Sequence, residues 1–402
     1  MSRIAFHRFR AVEQLISTYS GEQPFHLYLS EHFKRNKQIG SKDRKALRNL
    51  CYAYLRLGKA KADWSFQLRF YIALFLVNET PDEITDYLSL ETGYQYTAED
   101  FLLPIQSKLN KLNIEETELF PWMEQLSNLP DKSAYVQSLL HQPLVWLRLS
   151  SSSFEKAKQL LQEHAAPYEV ADDNPRCVGV PSATPLDKLT TETWWEIQDY
   201  SSQRVLDKVD LANAHKVWDC CAASGGKSLL LKEKLNEADL YVSDVRENIL
   251  LNLHHRFQRN HIVRYHYSSI DLMQESSHWL FTQKGTGKQT QVNPGYFDTI
   301  LADVPCTGSG TWARTPEQWA FFDAAKIDTY ATKQRTILKQ ILPFLSSGGQ
   351  LIYITCSVFA AENELQVAYM EKELGLKVES SSVLQGSSLK ADTMFVAVLK
   401  KI

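Results

Sequence analysis

Long apolar runs are missing from this 402-residue sequence. No stretch approaches the ~20 residues that span a bilayer, and the amino terminus, MSRIAFHRFR, lacks the apolar centre of a secretory leader. A membrane protein is not expected, and a cytoplasmic one is. Cysteine is scarce too: Cys51, Cys177, Cys220, Cys221, Cys306 and Cys356 are the six. So few argue against a disulfide framework, and in a reducing compartment they stay free thiols. CxxC and HxxxH spacings are absent, and adjacent Cys220 and Cys221 would point to opposite faces of an extended chain, so no metal site is expected. Neither phosphate-binding glycine pattern is complete: GxGxxG does not occur, and the position five before Gly226 that a P-loop gives to glycine is Cys221. A nucleotide hydrolase is disfavoured. Repeats are lacking, and the one biased stretch, QKGTGKQTQVNPG near 283–295, reads as an exposed loop.

What is present is the composition of a soluble protein, 44% hydrophobic and 23% charged, long enough for two or three cores. Its formal charge of -3 is unevenly spread. Residues 1–61 hold thirteen Lys or Arg against four acidic residues, a balance of +9, which leaves -12 for the rest. Such asymmetry fits either a surface that meets a polyanion or a solvated helical face.

The pattern divides the chain into 1–140, 141–200 and 201–402. In the first part apolar residues recur at helical spacing, as in Ala11, Leu15, Ile16 and Tyr19, then Leu47, Leu50, Cys51 and Leu55, which predicts a helical bundle. From Leu144 the strand-like LVWLRLS, the helical SFEKAKQLLQEH and a strand closing YEVADDNPRCVGV predict a small α/β segment. From about residue 201 strands and helices alternate, the signature of a parallel sheet covered by helices and so of an α/β fold class.

In open sheets of this kind ligands bind beyond the carboxyl ends of the strands. The unusual residues collect there. KVWDCCA runs into the glycine turn of SGGKSLLLKEKL, ADLYVSD ends in Asp244, FDTILADVP carries Asp303, and GGQLIYITCS ends at Cys356 and Ser357. Gly225 and Gly226 allow close backbone approach, and an acid ending the second strand is placed to accept ribose hydroxyls. Together they point to a nucleoside-containing cofactor, although Asp244 reads equally as a helix cap. Cys51 and Cys177 read as small core residues. Cys306 and Cys356 each lie where a strand reaches the ligand edge, and two thiols facing one site point to covalent catalysis.

The segments DCCAASGGKS, ADVPCTGSGTWARTPE and YITCSVFAAENE, in this order and separation, resemble the cofactor motif and the two cysteine motifs of the RNA cytosine-5 methyltransferase family, RsmB/Sun/NOP type. EIQDYSSQRV resembles the lead-in to that family's core, so the likeness covers 144–402. QIGSKDRKALRNLCYAYLR resembles more loosely the NusB-like RNA-binding domain of the bacterial ribosomal branch. The resemblance implies a Rossmann-like S-adenosylmethionine-dependent methyltransferase core behind an N-terminal all-α domain and a small α/β linking subdomain.

It also implies roles. S-adenosyl-L-methionine would lie against Cys221, Ala222, Ala223, Ser224, Gly225, Gly226 and Lys227, with Asp244 on the ribose, Asp271 near the adenine, and Asp303 beside them. Cys356 would add to carbon 6 of a cytosine, Asp303 would hold the base edge with Lys227 as electrostatic support, and Cys306 would serve proton removal or product release. The implied partner is RNA, small-subunit ribosomal RNA first and transfer RNA as the alternative, with no DNA. From another class, the alternative is a non-catalytic ribosome-assembly factor of the same fold. Two positions depart from the resembled pattern: Ser224 replaces the proline of CAAPGGK, and Ala313 replaces one arginine of a pair that keeps Arg314.

Overall fold

Helical spacing in the first part becomes the helices Arg3–Thr18, Phe25–Arg35, Ser41–Leu55, Phe66–Val77 and Glu83–Thr92 of the computed structural model, followed by shorter ones up to Ser138. The structure describes residues 3–164, 168–190, 192–235 and 237–402. From Phe70 to Leu76 helix Phe66–Val77 is apolar on every face and buried without a break, so it forms the centre of its unit. Local chemistry fixes the ends of its neighbour: Asp82 and Thr85 make a reciprocal capping box, and Gly93 closes the helix at φ 74°.

This unit comprises Met1–Glu124, Asp131–Gln142 and a distant segment, Thr311–Ala324. The segment is part of its core. Trp319 donates its indole N–H to Leu119 O at 3.0 Å, and Arg56, 3% exposed, donates to Leu139 O at 2.7 Å and Ala313 O at 2.8 Å. Gly58 is required here, because a Cβ would fall 2.5 Å from the Trp319 ring.

The second unit holds two sheets. The smaller is antiparallel: β1 (Val145–Leu149), β2 (Glu169–Ala171), β3 (Asn174–Val180) and β4 (Trp195–Ile197), in the order β2-β3-β1-β4. Ala157 and Leu161 of helix Phe154–His164 pack with Leu147, Leu149, Val178 and Val180. The larger sheet has nine strands: β5 (Lys216–Asp219), β6 (Asp239–Asp244), β7 (His266–Ser269), β8 (Trp279–Gln283), β9 (Gln289–Val292), β10 (Phe297–Asp303), β11 (Leu345–Thr355), β12 (Leu376–Gln385) and β13 (Thr393–Lys401). Their order is β12-β13-β11-β10-β5-β6-β7-β8-β9, with β7, β6, β5, β10 and β11 mutually parallel. The expected α/β fold, with a helical part before it, is what the chain adopts.

The chain enters this sheet at its middle, steps outward strand by strand to the edge at β9, then returns to β10 on the other side of β5. The switch between β5 and β10 is where an open α/β sheet leaves a crevice. Residues 283–295 correct the expected loop. They carry the turn and second strand of a hairpin, β9 pairing antiparallel with β8 around Gly285 and Gly287, and QTQV reads as polar because it is an edge strand. Among the described residues no helix is long and apolar enough to cross a membrane.

Candidate functional site

β5 ends at Asp219, and the chain turns through Cys220 to Gly225 into the helix Gly226–Lys234. The cysteine pair is therefore not extended, and its sulfurs lie 4.0 Å apart rather than on opposite faces. Ala223 (φ 47°) and Gly225 (φ 82°) take left-handed conformations. At Gly225 a Cβ would lie 2.9 Å from Leu253 Cγ, so only glycine fits between turn and helix. Two carboxylates anchor the turn. Asp219, fully buried, accepts from Ser228 Oγ at 2.5 Å, and burial pushes its carboxyl up to about 7. Asp244 accepts the Ala223 N–H at 3.0 Å and binds Arg246 Nε and Nη2 at 3.0 and 3.2 Å. Asp244 is not the N-cap residue of helix Glu247–Arg259, which starts from Arg246, but its Oδ1 accepts the Arg246 N–H at 3.0 Å and so still helps to open that helix.

Lys227, on the first turn of its helix, reaches across to β10 and donates to Asp303 Oδ2 at 2.6 Å. Burial pulls its ammonium down, but the charge and hydrogen bond of Asp303 outweigh that and hold it above its ordinary value. The pair offers a fixed positive and a fixed negative end at the switch point.

Beyond Asp303 the segment Val304–Gly310 is fastened to the segment after β11. Gly310 N donates to Cys356 O at 2.8 Å, an approach that a side chain would block, because a Cβ at 310 would fall 1.9 Å from Thr393 O. Ser309 Oγ accepts from Val358 N at 2.9 Å. These contacts explain the small residues after the cysteine, and they set Cys306 and Cys356, both half-buried, with sulfurs 3.3 Å apart. The hydrogen bond to Cys356, then burial, pushes the Cys306 thiol well up.

Beneath both thiols lies Glu362, fully buried. It accepts from Thr307 N at 2.8 Å, Thr307 Oγ1 at 2.6 Å, Gln334 Nε2 at 3.3 Å and the Ser357 hydroxyl. Tyr353 OH donates to the Glu362 carbonyl at 2.7 Å, and Gln334 also donates to Pro305 O at 3.0 Å. Burial raises the Glu362 carboxyl. Sequence reasoning did not single out Glu362 or Gln334, although Glu362 lies inside the quoted AAENE; an acid five residues after a serine carries no mark of what it will touch.

A cavity of about 630 Å³ opens along this edge. Cys221, Ala223, Asp244, Asp271 and Asp303 line it, together with Pro305 and Tyr330. Lys227 reaches it through Asp303. Ala222 is buried, its N–H given to Ser243 O at 2.9 Å, and Ser224 faces a separate groove of about 390 Å³. A larger depression of about 1210 Å³, beside Ser150 to Ser153, Arg176 and Arg264, contains none of the expected residues and no thiol. Cys51 and Cys177 are buried core residues, and burial pushes the Cys177 thiol up to about 12. No cluster of three metal-ligating side chains occurs among the described residues.

Residues 207–397 match the family described as 16S rRNA methyltransferase RsmB/F. The ribosomal RNA small subunit methyltransferase B of Serratia proteamaculans (strain 568) is 30% identical over 234 residues, 56% of this chain and 50% of that protein. The chain thus spans about half the length of the curated relatives it matches. The crystal structure of PH0851 shares the fold at a TM-score of 0.68 over 98% of both chains, with 19% identity. That of NSun6 from Pyrococcus horikoshii with SFG does so at 0.52, covering 70% of this chain and 97% of that one, with 14% identity. The likeness to the RsmB/F methyltransferase family is thus carried by residues 207–397 of this chain.

Proposed function

We propose that the chain is an S-adenosylmethionine-dependent RNA cytosine-5 methyltransferase of the cytoplasm that acts on small-subunit ribosomal RNA through a covalent adduct. The observation that carries this reading is the pair of sulfurs 3.3 Å apart at the strand ends that bear the Lys227–Asp303 pair. The family match and the name of the Serratia relative support the substrate class.

The residues present fit the cofactor. A cavity of about 630 Å³ suits a nucleoside-sized ligand, with Asp244 and Asp271 as hydroxyl and amine acceptors and Ile270 and Leu272 as apolar wall. When bound, S-adenosylmethionine supplies the electrophilic methyl group. The chain supplies the rest. Cys356, as thiolate, adds its sulfur to carbon 6 of the target cytosine and makes carbon 5 nucleophilic. Asp303, steadied by Lys227, holds the amino edge of the base as charge develops in the ring. After methyl transfer Cys306, as thiolate, takes the carbon 5 proton, and the electron pair of that C–H bond expels Cys356 from carbon 6 as thiolate. The base must first be unstacked into the pocket.

Residues 1–140 would carry RNA, 141–200 link, and 201–402 catalyse. Lys34, Arg35, Lys37, Lys42, Lys45 and Arg48 are exposed on helices Phe25–Arg35 and Ser41–Leu55 and the connection between them, a surface suited to phosphates. Bisulfite sequencing of ribosomal and transfer RNA, from cells with and without the protein, tests the reading. A cytosine in small-subunit ribosomal RNA that loses its protection supports it; loss confined to transfer RNA moves the substrate, and no loss in either refutes it.

A further inference from the structure

The turn that faces the cavity places Ser224 between two left-handed residues, Ala223 (φ 47°) and Gly225 (φ 82°), and a non-glycine residue in that region costs on the order of 1 kcal/mol. Something outside the turn must hold it. Both oxygens of Ser224 accept from one group: Arg256 Nη1 lies 3.3 Å from its carbonyl and 3.2 Å from its hydroxyl. The other arms of that guanidinium go to strand β4, Nη2 to Ile197 O at 3.3 Å and Nε to Glu196 Oε2 at 2.9 Å. Glu196 is 5% exposed and is itself fixed by Arg259 Nη2 at 3.2 Å and Asn260 Nδ2 at 2.6 Å. β4 pairs with β1, so the relay ends in a sheet rather than in a mobile side chain.

The two sides of the turn are thus held separately. On the cavity side Ala223 N–H is held by Asp244; on the other side Ser224 is held by Arg256, which lines the separate groove and not the cavity. Anything Arg256 does to a ligand in the cavity must pass through the turn. The fork geometry matters, because only a planar guanidinium reaches Glu196, Ile197 and Ser224 at once; an ammonium on a similar stem cannot.

We propose that Arg256, aimed by Glu196, is a positioning residue for the cofactor turn, supplying from outside the rigidity that proline gives at position 224 of the resembled motif. This rests on the reading of the cavity as the S-adenosylmethionine site. It makes the turn's order a matter of a side-chain relay, so losing the relay weakens cofactor binding more than it slows chemistry.

The test is calorimetric titration of the full chain with S-adenosylmethionine, for the wild type, Arg256→Ala, Arg256→Lys and the double variant Arg256→Ala, Ser224→Pro, each checked for folding by circular dichroism. Arg256→Ala should weaken binding about tenfold by leaving the turn to be ordered on binding, and Arg256→Lys should weaken it at least about threefold. The double variant should return to within about threefold of the wild type, since proline pre-sets the backbone that the relay held. In methylation assays the single variant should raise the KM for the cofactor with little change in kcat, which a general loss of stability would not do. If Arg256→Ala does not fold, the lysine variant alone decides. Wild-type affinity in a folded Arg256→Ala or Arg256→Lys, or no recovery on adding Ser224→Pro, overturns the proposal; a wild type that takes up no S-adenosylmethionine overturns the reading of the cavity itself.

Discussion

The cofactor turn and the thiol corner share one sheet edge but are held by different chemistry. Around the turn charge meets charge: Arg246 on Asp244, Lys227 on Asp303, Arg256 on Glu196. At the thiol corner the carboxyl of Glu362 is buried and its hydrogen bonds come from an amide N–H, two hydroxyls and a glutamine. Partly exposed ion pairs tolerate adjustment, because water can replace either partner. A buried carboxyl with neutral donors does not, because each donor it loses stays buried and unsatisfied. The difference suits the proposed tasks: a turn that must admit and release a cofactor, and two sulfurs that must keep one spacing.

The largest effect is expected at the thiols. Cys356→Ala should reduce methyl transfer by at least about a thousandfold, because without the sulfur adduct carbon 5 is too weak a nucleophile. S-adenosylmethionine binding should survive, since the turn is built independently of the corner. Turnover within tenfold of the wild type would make Cys356 structural. Cys306→Ala should still let Cys356 attack but slow release, so a labelled transcript should stay bonded to the protein on a denaturing gel. That band should vanish in the double variant, and normal turnover with no band would leave Cys306 a packing residue.

Asp219 breaks the simple contrast, since it belongs to the turn yet is buried like Glu362. Its carboxyl rises from 3.8 to about 7 through burial, so the folded chain keeps a proton that the unfolded chain gives up. The stability this group contributes is complete below pH 3.8 and is lost as pH rises to about 7. Asp219→Asn removes that loss. Between pH 4 and 7 the variant should gain roughly 4 kcal/mol on the wild type in urea unfolding, and parallel stability curves would show that the carboxyl titrates normally.

The corner and the turn can then be compared directly. Glu362→Ala should cost about 3 kcal/mol by stranding buried donors. Arg246→Ala, whose side chain is 56% exposed, should cost under about 1 kcal/mol. Equal costs would mean that the two regions are not held differently.

Much of this edge was legible because strand ends are marked in sequence. Asp244 and Asp303 close apolar runs that become β6 and β10, and Cys356 follows β11 directly. Glycines forced by close approach were legible as a turn. What was not legible depends on pairing across distance. Arg256 and Glu196 lie sixty residues apart and read as ordinary surface charges. Thr311–Ala324 sits in the motif stretch of the sequence, yet it packs with the helical unit through Trp312 and Trp319, which no local pattern announces. The turn and β9 within 283–295 look like a loop in sequence because an edge strand needs no apolar face.

That packing also decides how the smallest effect is to be measured. Deleting residues 1–140 would strip the cover from Trp312 and Trp319, both fully buried within the helical unit, and would confuse misfolding with weakened affinity. Charge substitution avoids this. Lys42, Lys45 and Arg48 are exposed at three-residue spacing on helix Ser41–Leu55 and supply no buried side chain to the core. Changing all three to Gln should leave S-adenosylmethionine affinity and melting temperature in place. RNA affinity should fall, and the slope of its logarithm against that of salt concentration should flatten by about 2 to 3, one step for each phosphate that the helix no longer neutralises. An unchanged slope would reduce this face of the helix to solvated charge and place the RNA-binding surface elsewhere.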